Sequence, residues 1–329
     1  MNAPPALEVN NLTASFGGGR LTAVNDISFT VLPGEVLGLV GESGSGKSVT
    51  LRSIMRLLPA SCSVSGRVDW QGRDILAMTR KQLRSVRGGQ ISMIFQEPTT
   101  ALNPVLPVFT QIEENLKAHT DLDRAGRTNR ARDLMDLVGI PDAARRLKEY
   151  PHQFSGGMRQ RVMIAIALAS NPKLLLADEP TTALDVTIQD QILKLILDLR
   201  DELSMSVVLV THDLGVVAAT CDRMAVMYAG RIVETGTVAE VFAQPNHAYT
   251  HGLLGSVPHA GAERSMLLSI EGTPPALNRI PLGCAFNPRC DFATDPCRAQ
   301  VPEMQELSPG RGVACFNRDA VTAAGSPFG

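Results

Sequence analysis

The run Gly41-Glu42-Ser43-Gly44-Ser45-Gly46-Lys47-Ser48 restricts what this chain can fold into more than any other feature. It follows the apolar stretch 36–40 and precedes a helical pattern, a context that separates a phosphate-binding loop from a chance Gly/Ser turn. The glycines let the backbone curl so that its N–H groups face an anion, and the positive end of the following helix adds to the attraction. Lys47 has the reach for the β- and γ-phosphates of a nucleotide, and the Ser48 hydroxyl is a ligand for Mg²⁺. Ser43, Gly44, Ser45, Gly46 and Val49 complete the candidate cradle for ATP. The loop alone does not choose among the many machines that use a nucleotide.

The rest of the chain supplies a matching scaffold. Apolar runs at 36–40, 91–95, 174–177 and 207–210 read as strands buried on both faces. A helix is predicted over 187–203, where Ile188, Ile192, Leu195, Leu199 and Leu203 mark one face. Strands alternating with helices predict a mostly parallel α/β sheet. Between about 98 and 166 the pattern is helical, at 110–119, 124–138 and 143–150, which predicts a helical subdomain inserted between two strands. Beyond about Phe242 the chain turns rich in Pro, Gly and Cys and the rhythm fades. A nucleotide-binding domain over 1–242 and an accessory region over 243–329 are therefore expected.

Charge and hydropathy exclude some partners. A formal net charge of −2 gives no basic footprint for nucleic acid. The start, Met1-Asn2-Ala3-Pro4-Pro5, lacks the basic and apolar regions of a secretory signal, so a cytosolic chain is expected. Apolar runs such as 162–169 are too short to cross a bilayer, and membrane association is expected to come through partners.

Leu174-Leu175-Leu176-Ala177-Asp178-Glu179 is an apolar strand ending in two carboxylates, suited to supporting Mg²⁺ (Asp178) and polarising an attacking water (Glu179). Standing alone it would read as a solvated acidic turn. Phe154-Ser155-Gly156-Gly157-Met158-Arg159-Gln160-Arg161 opens a helix with Ser155 as N-cap, and cap chemistry alone would leave it an ordinary helix start. The stretch resembles the signature of the ABC (ATP-binding cassette) family, usually Leu-Ser-Gly-Gly-Gln, with Phe154 and Met158 as variants. In that family Ser155 and Gly157 would contact the γ-phosphate held by an opposite subunit. Gln96 resembles the Q-loop glutamine that senses Mg²⁺ and γ-phosphate, Ala183-Leu184-Asp185 the D-loop, and His212 the switch histidine. Phe16 resembles the aromatic that stacks on adenine, although a core phenylalanine would look the same. The resemblance implies a P-loop NTPase fold: a RecA-like parallel sheet core, an antiparallel β subdomain, the inserted helical subdomain and a Cys-rich C-terminal tail. It makes Glu179, His212 and Gln96 the catalytic set.

The runs 95–104 and 150–165 are similar to those of the oligopeptide/dipeptide/nickel import ATPases. So are His247-Ala248-Tyr249-Thr250, Ser256-Val257-Pro258, Gly272-Thr273-Pro274-Pro275 and Gly283-Cys284-Ala285-Phe286-Asn287-Pro288-Arg289-Cys290. Ala248 stands where that family has proline. The resemblance implies an import ATPase for peptides or a related solute, peripheral on the cytoplasmic side of the cell membrane. Its partners would be a second ABC ATPase in a heterodimer, two membrane permeases docked around 96–108, and, indirectly, an extracytoplasmic substrate-binding protein. A soluble ABC ATPase acting on nucleic acid or ribosomes is the competing function. The long coiled-coil insertion of the repair type is absent, there is one cassette rather than two, and the charge is not basic. A decayed, non-catalytic subunit is opposed by intact Lys47, Asp178, Glu179 and His212.

Cys284, Cys290, Cys297 and Cys315 run C-x5-C-x6-C-x17-C, which fits neither a zinc knuckle nor a ferredoxin spacing. Spacing leaves zinc, an iron–sulfur centre and plain thiols open, while a reducing compartment disfavours disulfides. Family resemblance implies a [4Fe-4S] cluster on these four cysteines. Cys62 and Cys221 lie outside the pattern.

Overall fold

The computed structural model describes residues 4–182, 184–256 and 270–327. Within the ranges described, two compact units emerge: one from 7–31, 35–76 and the chain from 210 onward, the other from 4–6, 32–34 and 77–209.

The first unit contains the phosphate loop. β1 (Leu7–Phe16) pairs antiparallel with both β2 (Leu21–Val31) and β4 (Ser63–Trp70), and β5 (Arg73–Asp74) extends the sheet to the order β2-β1-β4-β5. Leu7, Val9, Leu12 and Ala14 of β1 are buried, so one face carries its apolar side chains inward. β3 (Val36–Val40) is buried at every position and leads through the loop into α1 (Lys47–Ile54).

The second unit is mainly helical. α2 (Arg80–Val86) starts with a capping box in which Thr79 and Gln82 satisfy each other's backbone N–H. β6 (Ile91–Ile94) runs parallel to β7 (Leu174–Asp178), with Ile91 opposite Leu174 and Ile94 opposite Ala177. Between them lie α3 (Pro98–Ala101), α4 (Val108–His119), α5 (Arg124–Leu137), α6 (Ala143–Arg146) and α7 (Gly156–Leu168), with no strand. α4, α5 and α7 pack through Ile112, Leu116, Leu134, Met135 and the apolar body of α7. α8 (Val186–Leu203) follows β7, and β8 (Ser206–Thr211) takes the chain out of this unit after Leu209.

Returning to the first unit, the chain forms α9 (Leu214–Thr220), β9 (Arg223–Tyr228), β10 (Arg231–Thr237), α10 (Val238–Ala243) and α11 (Ala248–Gly255). The tail continues with α12 (Asp295–Ala299), β11 (Gln305–Ser308), β12 (Arg311–Val313) and α13 (Arg318–Ala323). β9 runs parallel to β3, but β10 and β12 are antiparallel additions in the order β11-β12-β10-β9-β3.

Two expectations change. The sheet is mixed rather than mostly parallel, because Ala229 (φ 46) and Gly230 (φ 83) make a two-residue reversal between Tyr228 and Arg231. Positive φ at both central residues suits a hairpin, whereas a parallel return would need a crossover. The helix predicted over 143–150 stops at Arg146. Carbonyls of Leu147 and Glu149 accept the N–H groups of Phe109 and Val108 at 2.9 and 3.0 Å, and Pro151 holds the residue before it extended. In the tail, Tyr249, Leu254, Phe286 and Val321 share one buried cluster with Val40 and Tyr228.

Candidate nucleotide site

The phosphate loop is shaped by backbone constraints. Gly41 has φ 149, and a Cβ there would lie 2.2 Å from the Met227 carbonyl oxygen. At Gly46, φ 106, a Cβ would lie 2.5 Å from the Ala23 carbonyl oxygen. Both positions therefore require glycine. The hairpin tip braces the loop, since the Gly230 N–H donates to the Ser45 carbonyl at 2.9 Å. Lys47 is buried, and its ammonium donates to the carbonyls of Gly41 at 2.7 Å and Glu42 at 2.9 Å. Gly46 caps α1 without a side-chain hydrogen bond, leaving an anion-binding helix start in the sense of loop and dipole. Ser43 and Gly44 are exposed, Ser48 and Val49 half-buried.

The second unit gathers the hydrolytic residues. Asp178 ends β7 fully buried, and Glu179 follows it in the left-handed region at φ 45. A non-glycine residue in that region costs about 1 kcal/mol, a strain that commonly marks a working site. Here it aims the Glu179 carboxylate at two donors: Gln96 Nε2 at 3.1 Å and Thr182 Oγ1 at 2.7 Å, both onto Oε2. Gln96 and Glu179, 83 residues apart, thus meet. Gln160, buried on α7, donates to the Pro180 carbonyl and ties the signature helix to this turn.

The remaining predicted residues occupy distinct settings. Ser155 caps α7, its oxygen accepting the Met158 N–H at 3.3 Å, and it is exposed. A Cβ at Gly157 would press to 3.0 Å from Ile188 Cγ2. Asp185 caps α8 by accepting the Ile188 N–H at 2.9 Å; Ala183 of the same loop lies outside the described residues, as do Val257 and Pro258. His212 is exposed in the first unit just after β8, beside Asp213, which caps α9. Phe16 is half-buried at the end of β1 opposite Leu21.

Cys284, Cys290, Cys297 and Cys315 all line one cavity of about 10 Å³ together with Phe286 and Phe292. No three His, Cys, Asp or Glu side chains among the described residues stand close enough to share a single metal ion. Burial pushes the thiols of Cys284 and Cys290 up to about 11 and about 12, and that of Cys315 upward as well, so they carry protons at neutral pH.

Four contributors escaped the sequence reading. Thr182 lies three positions after Glu179, where a polar residue so near a catalytic carboxylate is the available signal, and Gln160 lies within the signature run 154–161. Arg289 and Tyr249 reach Glu42 of the phosphate loop from the tail, and a buried arginine directly before Cys290 offered only its position as a hint.

Residues 24–182 match the family model described as ABC transporter, and residues 233–297 that described as the oligopeptide/dipeptide transporter C-terminal region. The chain is 49% identical over 312 residues to the oligopeptide transport ATP-binding protein OppD of Salmonella typhimurium, covering 94% of this chain and 93% of the relative. It is 48% identical to the OppD of Escherichia coli, covering 95% and 94%. Among solved structures, a dimeric post-hydrolysis state of the ATP-binding cassette MJ0796 with ADP and Pi superposes with TM-score 0.63 at 30% identity, covering 70% of this chain and 98% of that one. Matches that cover more than nine-tenths of the chain and of these relatives, together with both family models, mean that the chain belongs to the ATP-binding proteins of ABC transporters, in the oligopeptide/dipeptide branch.

Proposed function

We propose that this chain hydrolyses ATP to drive import of di- or oligopeptides through membrane permeases. The observation that carries the hydrolytic part is the Glu179 carboxylate, held by Gln96 and Thr182 directly after the buried Asp178. The peptide part rests on the relatives, which are named oligopeptide transport proteins.

Lys47 and the amides of 43–49 would bind the phosphates, with Phe16 against the base. Ser48, Asp178 and Gln96 would hold Mg²⁺, whose buried carboxylate ligand suits a hard dication and which would shield the charge of the β- and γ-phosphates. Glu179 orients the attacking water and accepts its proton, Gln96 keeps the carboxylate aimed, and His212 would stabilise the departing γ-phosphate. Ser155 and Gly157, at the exposed start of α7, would serve the nucleotide of a second cassette, giving a dimer of two different ATPases. Asp185 would act at that same junction. The exposed residues Thr99, Asn103, Pro104 and Val105 would take a cytoplasmic helix of a permease, Val105 offering an apolar side chain that is 74% exposed. The subunit would sit peripherally on the cytoplasmic face of the membrane, held there by its permease partners; no helix among the described residues is long and apolar enough to cross a membrane. A binding protein on the other side would deliver the solute.

The tail cysteines would hold a [4Fe-4S] cluster, which would cross-link the tail. What supports this reading is that all four sulfurs line one cavity, a donor set of thiols alone that suits an iron–sulfur group.

Purification from detergent-solubilised membranes should bring permease subunits along, and Glu179→Gln should abolish phosphate release while MgATP still binds. Recovery without any membrane protein, or persistent turnover in the variant, would overturn the reading. For the tail, anaerobic protein should contain iron and acid-labile sulfide, lost when all four cysteines become serine; iron-free protein would reject the cluster.

A further inference from the structure

Glu42 is the second residue of the phosphate loop, where a carboxylate is out of place beside a polyphosphate. The tail meets it with Arg289. Nη1 donates to Oε2 at 2.7 Å and Nη2 to Oε1 at 3.0 Å, a fork-to-fork pair across 247 residues of sequence. The Arg289 side chain is only 6% exposed. Its Nε donates to the Glu271 carbonyl at 2.9 Å, and its guanidinium lies 5.9 and 5.8 Å from the ring centroids of Tyr228 and Phe286. A second tail residue acts on the backbone of the same loop position, the Tyr249 hydroxyl accepting the Glu42 N–H at 2.7 Å. Arg289 itself stands on the turn between two cavity-lining cysteines: Asn287 Nδ2 donates to the Cys284 carbonyl at 2.8 Å, and the Cys284 N–H to the Cys297 carbonyl at 2.8 Å.

We propose that Arg289 is a positioning residue of the phosphate loop, neutralising and orienting Glu42 so that the loop takes nucleotide phosphates without an uncompensated carboxylate beside them. The inference rests on the reading of 41–48 as the ATP phosphate site. An uncompensated Glu42 would repel the polyphosphate and free the loop's leading edge to move. The pair also gives the tail a direct hold on nucleotide affinity: whatever ties or loosens the cysteine-lined turn changes where the Arg289 fork sits.

The test uses the full chain carrying Glu179→Gln, titrated with MgATP by calorimetry, with thermal melting recorded for each variant. Arg289→Gln should weaken binding about tenfold. Adding Glu42→Gln to it should restore affinity to within about threefold of the parent, because the stranded charge is gone, a recovery that loss of packing alone would not give. Arg289→Lys, which keeps the charge and loses the fork, should bind about three- to fivefold more weakly with an unchanged melting point. Parent-like affinity in Arg289→Gln, or a double variant as weak as the single, would overturn the proposal. If Arg289→Gln does not fold, Arg289→Lys decides, parent-like binding in it being the refuting result. Lys47→Ala separates the two levels: if it binds MgATP as tightly as the parent, the phosphate-site reading itself fails, whereas lost binding there with unaffected Arg289 variants removes only the positioning role.

Discussion

The phosphate loop and the turn at Glu179 are both short connections after a buried strand, yet they hold their shape by opposite means. At its glycines and its lysine the loop depends on backbone: positions 41 and 46 sit where any Cβ would meet a carbonyl oxygen, and the shortest hydrogen bonds of Lys47 go to main-chain carbonyls. The turn depends on side chains, with one carboxylate oxygen shared by Gln96 and Thr182. Steric exclusion by backbone leaves little room to adjust, whereas a hydrogen bond can be removed and the remaining partner retained. The loop should therefore fail abruptly and the turn by degrees.

The largest effect should come from Gly41→Ala, whose new methyl would collide with a backbone atom; a loss of about 3 kcal/mol or more, read by denaturant unfolding, is expected. Gly44→Ala is the control within the same loop: nothing lies within 4 Å, so only its φ of +81 is penalised, at about 1 kcal/mol. Equal losses at the two glycines would break the contrast.

Next comes pH. His247 accepts the Tyr249 N–H through Nδ1 at 3.0 Å and so helps place the tyrosine that holds Glu42; burial lowers its pKa to about 4. The unfolded chain takes up this proton near pH 6.5 and the folded chain does not, so stability should fall as pH drops from about 6.5 to about 4, by on the order of 3 kcal/mol. Buried Glu234 is shifted upward and works in the opposite sense, which makes the difference from His247→Asn the informative quantity. Asparagine can keep the cap, and its melting curve should lose part of the acid sensitivity. An identical acid profile in the variant would remove His247 from the support of the loop.

A smaller change is expected at the turn. Thr182→Val removes a donor to Glu179 while that from Gln96 stays, and should lower kcat about tenfold with KM nearly unchanged, measured by phosphate release. A loss as complete as that from replacing Glu179 would show that the turn is as brittle as the loop. Smallest of all, Ser155→Ala should cost about 1 kcal/mol of stability through the lost cap of α7, seen in thermal melts.

These two regions also differ in how far sequence exposed them. The loop's motif is contiguous and the acceptors of Lys47 lie five and six residues away, so Gly41, Gly46 and Lys47 were legible, although the carbonyls of Met227 and Ala23 that exclude a Cβ at the two glycines come from elsewhere in the chain. Strands at 36–40 and 174–177 were equally plain because full burial leaves unbroken apolar runs. At Glu179 the residues were legible singly, but the meeting with Gln96 and the part played by Thr182 depend on chain geometry that no local pattern carries. The same holds for the end of α6, set by where the N–H groups of Val108 and Phe109 point, and for β12, which joins β10 from far along the chain. Arg289 was hidden most deeply, since its partner is remote and its neighbouring cysteines drew the eye.

The pairing of Arg289 with Glu42 bears on modularity. A cassette cut at residue 242 would retain every nucleotide motif and still lack both tail groups that hold the loop's second residue. In a chimera between relatives, position 42 and the segment bearing Tyr249 and Arg289 form one unit of inheritance, to be exchanged together or left together.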